Sequence, residues 1–412
     1  MVYVLNNKGK PLMPTNRHGK VRHLLEDGKA KVVCRTPFTI QLLYESENYV
    51  QEVNLGVDAG SKHIGLSATT KDKVLYEADI EVRNDIVDLI ATKKEYRRSR
   101  RAKKTRYRAP RFKNRKKEKG WLAPSVKQKV ETHLKAVDNV YKILPIKNII
   151  AEVASFDIQK IKNPEISGKE YQQGEQLGFL NVRQYVLFRD EYTCQCCKTK
   201  SKNKTLVVHH IESRKTGGNA PNNLVTLCED CHKKYHEGKI KLPDNIKRNK
   251  SYRDSAFMGI MRWAFLDKLK EKYKNVFHTY GFETKYIRYK YNLPKDHYID
   301  ARCISRNPLA KSNGIVYYQK KVRCHNRQTH KANFKNGVRK RNQAPYIVCG
   351  FRLFDKVVAN NTECFIFGRR SSGFMDVRKL DGTRINAAIS SKKLKLVETR
   401  KKYLIEERRV LM

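Results

Sequence analysis

Two Cys-x-x-Cys pairs, Cys194/Cys197 and Cys228/Cys231, stand thirty residues apart and limit what this part of the chain can become. Four thiolates at this spacing make the ligand set of one tetrahedral zinc, which supplies folding energy to a segment too short to build its own core. The zinc leaves a group of histidines unexplained. Leu206-Val207-Val208-His209-His210-Ile211 reads as an apolar strand whose alternation sends the two imidazoles to opposite sides. Cys231-His232-Lys233-Lys234-Tyr235-His236 reads as a helix start with His232 and His236 at i, i+4 on one face. A hairpin packed on such a helix gathers His209, His232 and His236 around a second, catalytic metal ion.

The chemistry that suits the cluster is phosphodiester hydrolysis with one metal ion. The metal would stabilise charge on the scissile phosphate. His210 is placed to deprotonate the attacking water, because an imidazole titrates near neutral pH. Asn223, in Pro221-Asn222-Asn223-Leu224, holds the loop or orients that base. A plain zinc finger needs four ligands and has no use for the His-His pair, the asparagine and two further histidines. From about Asp190 to Gly238 the residues resemble an HNH nuclease module of the ββα-metal type, with every motif position filled.

The chain's charge indicates the partner. Lys and Arg number 88 against 41 Asp and Glu, a formal net charge of +47 on 412 residues, which calls for a polyanion such as nucleic acid. The length gives room for two or three domains. With neither a run of eighteen apolar residues nor a charged-then-apolar leader, no membrane span or secretory signal is expected, and a cytoplasmic or nucleoid setting in a prokaryote follows. Of ten cysteines, Cys34, Cys196, Cys303, Cys324, Cys349 and Cys364 are scattered and read as reduced thiols. From Lys93 to Lys119, 16 of 27 residues are Lys or Arg. The first half has good helix formers and no apolar stripe to bury, so it is stable against a polyanion or spanning between lobes. Arg97, Arg98, Arg100, Arg101, Lys103, Lys104, Arg106, Arg108 and Arg111 are the candidate nucleic-acid contacts, with RNA the expected ligand.

Three acids lie far apart in sequence. Glu52 to Thr70 reads as strand, tight turn, strand, with Asp58 where the first strand ends, and Val74 to Val82 as a third strand. Ile146-Lys147-Asn148-Ile149-Ile150-Ala151-Glu152-Val153 is an apolar strand carrying Glu152, a costly burial unless the carboxylate binds something. It follows a helical pattern from Ser125 to Leu144. After Pro294, His297 and Asp300 share a face of a helix start. Asp58, Glu152, Asp300 and His297 match the set of a RuvC-like, RNase H-fold nuclease, in which paired magnesium ions about 3.5 to 4 Å apart need several oxygen ligands.

At the N-terminus, Gly9-Lys10-Pro11-Leu12-Met13-Pro14 followed by Arg22-His23-Leu24-Leu25-Glu26-Asp27-Gly28-Lys29-Ala30 is similar to the PLMP module. With the acids, the basic run and the HNH-like segment in this order, the chain resembles the IscB family. These are transposon-encoded RNA-guided DNA endonucleases related to the type II CRISPR effector nucleases. The resemblance implies an α/β multidomain protein with a split RuvC-like (RNase H fold) core, an inserted ββα-metal HNH domain, an arginine-rich bridge helix and a small β-rich C-terminal domain. Its segments would be a PLMP domain at 1–52, RuvC-like segments at 53–84, 121–160 and 250–312, and the bridge helix at 85–120. The HNH domain with its zinc would occupy 180–240, a basic linker 313–342, and a domain reading a target-adjacent motif 343–412. Implied partners are a structured non-coding guide RNA (omega RNA) and double-stranded target DNA, in a monomeric ribonucleoprotein. The cofactors would be magnesium at both nuclease sites, held by Asp58, Glu152 and Asp300 and by His209, His232 and His236, and structural zinc on Cys194, Cys197, Cys228 and Cys231. The HNH site would cut the guide-paired strand and the RuvC-like site the displaced one. In the C-terminal part, Arg369, Arg370, Arg378 and Arg384 are candidates for phosphate or base contacts. The block Arg323 to Lys331 reads as an RNA-contacting linker. A protein-guided nuclease of the same two site types, or a non-catalytic RNA-binding protein using the zinc only for folding, are the other readings.

Overall fold

A computed structural model of the protein describes residues 1–47, 49–102, 120–153, 179, 181–200, 204–212, 221–243, 245–246, 253–323, 332–335, 338–341 and 345–410. They divide into two compact units, Met1–Ala154 with Ile260–Met412, and Ser155–Gly259. In chain order the strands are β1 (Tyr3–Leu5), β2 (Ala30–Cys34), β3 (Thr39–Leu42), β4 (Val53–Ala59), β5 (His63–Thr69), β6 (Val74–Glu81) and β7 (Ile146–Val153). There follow β8 (Leu206–His210), β9 (Leu224–Cys228), β10 (Val276–Tyr280), β11 (Ile315–Lys321), β12 (Ala332–Lys335) and β13 (Val338–Arg341). The last are β14 (Lys356–Ala359), β15 (Thr362–Arg369), β16 (Phe374–Arg378), β17 (Arg384–Ser390), β18 (Lys395–Glu398) and β19 (Tyr403–Arg409).

The larger unit is mixed α/β, built on a seven-stranded sheet ordered β10-β7-β4-β5-β6-β11-β19. β4, β5 and β6 form an antiparallel meander, while β7 lies parallel to β4 and β10 parallel to β7. Most of β4 and β5 is buried, as expected for central strands covered on both faces. One cover is the helix His297–Ile304, and two glycines set how closely it approaches. A Cβ on Gly56 would stand 1.9 Å from the Ala301 carbonyl oxygen, and one on Gly65 1.9 Å from that of His297. Only a residue without a side chain lets the helix backbone come this near. The helix Pro124–Tyr141, with proline at its first turn, buries Val126, Val130, Ala136, Val137 and Val140.

A three-stranded sheet, β1-β3-β2, with the helix His18–Glu26 has its own core of Val2, Val4, Val21, Ala30, Ile40 and Leu42. A five-stranded antiparallel sheet, β17-β16-β15-β14-β18, encloses Val357, Cys364, Ile366, Met375 and Val377.

Two boundaries expected from the sequence move. β11 lies inside the stretch read as a basic linker, 313–342, yet it pairs in parallel with β6. β19 lies inside the stretch assigned to the C-terminal domain, 343–412, yet it pairs with β11 at the edge of the large sheet. Burial of Val316, Tyr317, Tyr403 and Leu404 drives both, and the pairing partners are too distant in sequence to leave a local signal.

The smaller unit contains the helix Val182–Arg189, the β8–β9 hairpin and the helix Glu229–His236. Asn181 caps the first helix by accepting from the Gln184 amide at 2.9 Å. Among the described residues, no helix is long and apolar enough to cross a membrane.

Candidate nuclease sites

In the smaller unit, hairpin register and helix period bring the cysteines and histidines into two groups. Ligand atoms of Cys194, Cys197, Cys228 and Cys231 lie within 4.8 Å of one another, as do those of His209, His232 and His236. Cys194, Cys228 and Cys231 are buried, and the Cys197 sulfur is 3.7 Å from that of Cys228. Burial pushes the Cys228 and Cys231 thiols up. A hydrogen bond from Thr199 brings Cys197 down to about 6. A dication that converts the buried thiols to thiolates removes the mismatch, so the four residues fit zinc.

The strand places His209 inward, buried opposite Val225, and leaves half-buried His210 one residue on, opposite Leu224. The His209 and His232 rings are 5.1 Å apart, and the Nε2 atoms of His232 and His236 are 3.2 Å apart. Burial, reinforced by repulsion from His232, His236 and His210, holds His209 down at about 4. Burial also lowers His232, with His236 adding to the shift. Neutral imidazoles are the form that binds metal. The Nε2 of His209 is buried without a hydrogen-bond partner, an orphan that a metal ion would satisfy. Three nitrogen donors suit a first-row transition dication better than magnesium, which prefers oxygen.

Asn223, fully buried, donates from Nδ2 to the Glu212 carbonyl at 3.0 Å and accepts the Glu212 amide at Oδ1 at 2.9 Å. These bonds tie Glu212, just after β8, to the turn that leads into β9. Sequence reasoning missed Tyr235, whose ring is 4.7 Å from that of His209, and Arg189. The Arg189 guanidinium donates to the carbonyls of Pro221 and Leu224, both at 2.8 Å, and so fixes the entry to β9.

Two comparisons with protein families bear on this geometry. Residues 194–238 match the model of the HNH endonuclease family. This segment is an HNH endonuclease domain. Residues 2–174 match the RRXRR protein family, whose name spells a string this chain carries at Arg97-Arg98-Ser99-Arg100-Arg101. Anaredoxin from Nostoc sp. is 38% identical over 55 residues, 13% of this chain and 68% of that protein, and over that stretch the two belong to one family. Among solved structures, Streptococcus thermophilus Cas9 with the GGAA PAM is similar at TM-score 0.36 and 15% identity, over 52% of this chain and 30% of that one. The same Cas9 with the AGAA PAM gives 0.35 and 14%, over 62% and 32%. The chain thus spans about a third of the length of those Cas9 chains.

Outside the HNH domain, the large sheet gathers a second set. The parallel register pairs Val57 with Ala151, so the next residues on these strands, Asp58 and Glu152, are neighbours. The helix that Gly56 and Gly65 admit carries His297 and Asp300 above them. Asp58 and Glu152 are buried and Asp300 partly so. Burial, and then the Asp58 charge, raises both Glu152 and Asp300. Each acid has a cationic or imidazole neighbour. His297 Nδ1 is 2.7 Å from Asp58 Oδ2, Arg262 Nη2 3.1 Å from Glu152 Oε1, and Arg288 Nε 3.0 Å from Asp300 Oδ1. The hydrogen bond to Asp58 raises His297, whose ring stacks on His63 at 5.2 Å. Mutually repelling oxygen donors fit hard dications such as magnesium. Arg262, Arg288 and His63 have no motif around them and were not found from sequence.

Of the basic-run candidates, Arg97 and Arg98 are exposed on the helix Ile86–Ala102, and Arg100 and Arg101 continue that helix. Lys103, Lys104, Arg106, Arg108 and Arg111 lie outside the described residues, as does Cys324 to Lys331. Of the C-terminal arginines, Arg369 donates to the Tyr346 and Phe351 carbonyls, and Arg378 pairs with Asp376 at 2.5 Å. Arg370 and Arg384 remain exposed.

Proposed function

We propose that this protein is an RNA-guided DNA endonuclease of the IscB kind, with an HNH site and a RuvC-like carboxylate site. The observation that carries this reading is the convergence of Asp58, Glu152 and Asp300, from three distant segments, in a chain that also holds an HNH domain. Two hydrolytic sites in one chain suit the two strands of a duplex. The net charge of +47 and the arginine-rich helix suit a protein that holds a structured RNA and its heteroduplex by their backbones.

In the HNH domain, His209, His232 and His236 hold a divalent cation, and Cys194, Cys197, Cys228 and Cys231 hold zinc. His210 takes the proton of the attacking water, and Asn223 fixes the loop that follows it. In the other site, Asp58, Glu152 and Asp300 hold magnesium. His297 is placed there to exchange a proton with water or the leaving oxygen. The bound cations supply charge stabilisation at the scissile phosphate. The HNH site cuts the guide-paired strand and the carboxylate site the displaced strand.

The test is to purify the protein from a host carrying its flanking DNA, sequence the bound RNA, and challenge a plasmid matching its variable end. Magnesium-dependent cutting of the matching plasmid alone is the expected result. Cutting that persists after ribonuclease treatment, with no matching requirement, means that the protein itself chooses the site.

A further inference from the structure

The helix Gly281–Lys290 has two unlike faces. One points into the carboxylate site. Thr284 is buried on it, Arg288 reaches Asp300 at 3.0 Å, and a Cβ on Gly281 would lie 3.3 Å from Glu152 Oε1. On the opposite face Phe282, Tyr286 and Tyr289 are 70%, 67% and 68% exposed. Their i, i+4, i+7 spacing sets them within an arc of about 60°. Lys285 and Lys290 flank that arc, and Lys285 Nζ lies 5.6 Å from the Tyr289 ring centre. The one acid of this helix, Glu283, is engaged by the Thr279 hydroxyl at 2.5 Å. Tyr280, just before the helix, stacks on Phe282 at 5.9 Å with the rings 10° from parallel. Three large rings in a row on one helix are a costly surface to leave in water.

We infer that this face is a stacking platform for unpaired bases of single-stranded DNA, leading that strand to the Asp58, Glu152 and Asp300 site. The inference rests on the nuclease reading of that site, in which the displaced strand is cut, and adds the surface that holds this strand beside the acids. Rings flanked by lysines suit a single strand, whose bases stack on aromatic faces while its phosphates meet the ammonium groups. A duplex keeps its bases stacked on one another and offers these rings nothing. The helix that carries the platform also meets the acids, through Arg288 at Asp300 and Gly281 at Glu152, so a strand lying on the rings is within a few nucleotides of the scissile position.

The test uses the full chain and a single-stranded oligodeoxynucleotide carrying one 2-aminopurine, whose fluorescence falls when it stacks. Tyr286→Ala and Tyr289→Ala change exposed positions and should each weaken binding by about fivefold or more. The defect should persist at raised salt, where phosphate contacts are screened. Tyr289→Phe, which keeps the ring, should bind as the parent does. Unchanged affinity in both alanine variants overturns the inference. So does a defect confined to an RNA oligonucleotide of the same sequence, which would make the face an RNA contact. Asp58→Ala separates the two readings, since it should bind the probe normally and lose cutting. If Asp58→Ala still cuts the displaced strand, the nuclease reading of the acids fails, while the stacking result is judged on the tyrosine variants alone.

Discussion

Arg262 bridges two parts of the carboxylate site: its Nη2 stands 3.1 Å from Glu152 Oε1, and its Nε donates to the Ala59 carbonyl at 2.8 Å. One guanidinium thus neutralises an acid on β7 and ties down the end of β4 just after Asp58. Hydrogen bonds to charged groups are worth about 1.5 to 3 kcal/mol. Arg262→Ala should therefore slow the cut made by this site about tenfold or more and leave the HNH cut unchanged. Arg262→Lys keeps the charge without the fork and should restore only part of the rate. Strand-specific labelling of a plasmid substrate reads both rates. Equal slowing of the two strands would mean that Arg262 acts on the protein as a whole.

The same labelling separates the two sites. Asp58→Ala should leave a nick in one strand and His210→Ala a nick in the other, with double-strand breaks lost in both variants. A double-strand break at the parental rate from either variant would remove that residue from the mechanism.

Zinc removal should act locally. The cysteine cage belongs to the unit Ser155–Gly259, and the carboxylates to the other unit. Cys231→Ser should make the HNH segment sensitive to limited proteolysis and abolish its cut, while Asp58-dependent nicking continues. Loss of both cuts would show that the zinc supports more than its own unit.

Arg302 and Glu77 form a buried ion pair at 2.8 Å that anchors the helix carrying His297 and Asp300 to β6. Glu77→Gln strands a buried guanidinium and should cost about 3 to 5 kcal/mol of stability. A Glu77→Met, Arg302→Met double variant removes both charges and should recover most of that loss. Denaturant unfolding of the three proteins checks the order. A double variant as unstable as the single one would shift the explanation to packing.

His133 predicts a pH dependence. Burial holds its imidazole at about 4, while the unfolded chain binds a proton near pH 6.5. The unfolded state therefore gains protons first as pH falls, so stability is complete above about 6.5 and declines toward 4. One pKa unit is worth about 1.4 kcal/mol, so this residue should remove about 2 kcal/mol between pH 7 and pH 5. His133→Gln should flatten that part of the profile in urea titrations. Identical slopes would assign the acid sensitivity to other groups.

The legible part of this protein was whatever its chemistry confines to short spacings. Cysteine pairs three residues apart and histidines four apart carry their geometry with them, because a turn or a helix fixes it locally. Asp58, Glu152 and Asp300 were readable as acids in apolar or helix-start settings, since such burial needs a reason. The two glycines that admit the helix above them carried no such mark.

The sequence by itself picked out the four cysteines and three histidines that the fold brings together, the basic character, and the strands that carry Asp58, Glu152 and His209. Tertiary structure alone decided that β11 and β19 close the large sheet, taking residues from a supposed linker and a supposed C-terminal domain. It alone brought Arg262 and Arg288 onto Glu152 and Asp300, and turned Phe282, Tyr286 and Tyr289 away from them. The reason is physical. Strand pairing and ion pairing between distant segments are chosen by burial and charge in the folded chain, and neither leaves a periodic trace in the residues on either side.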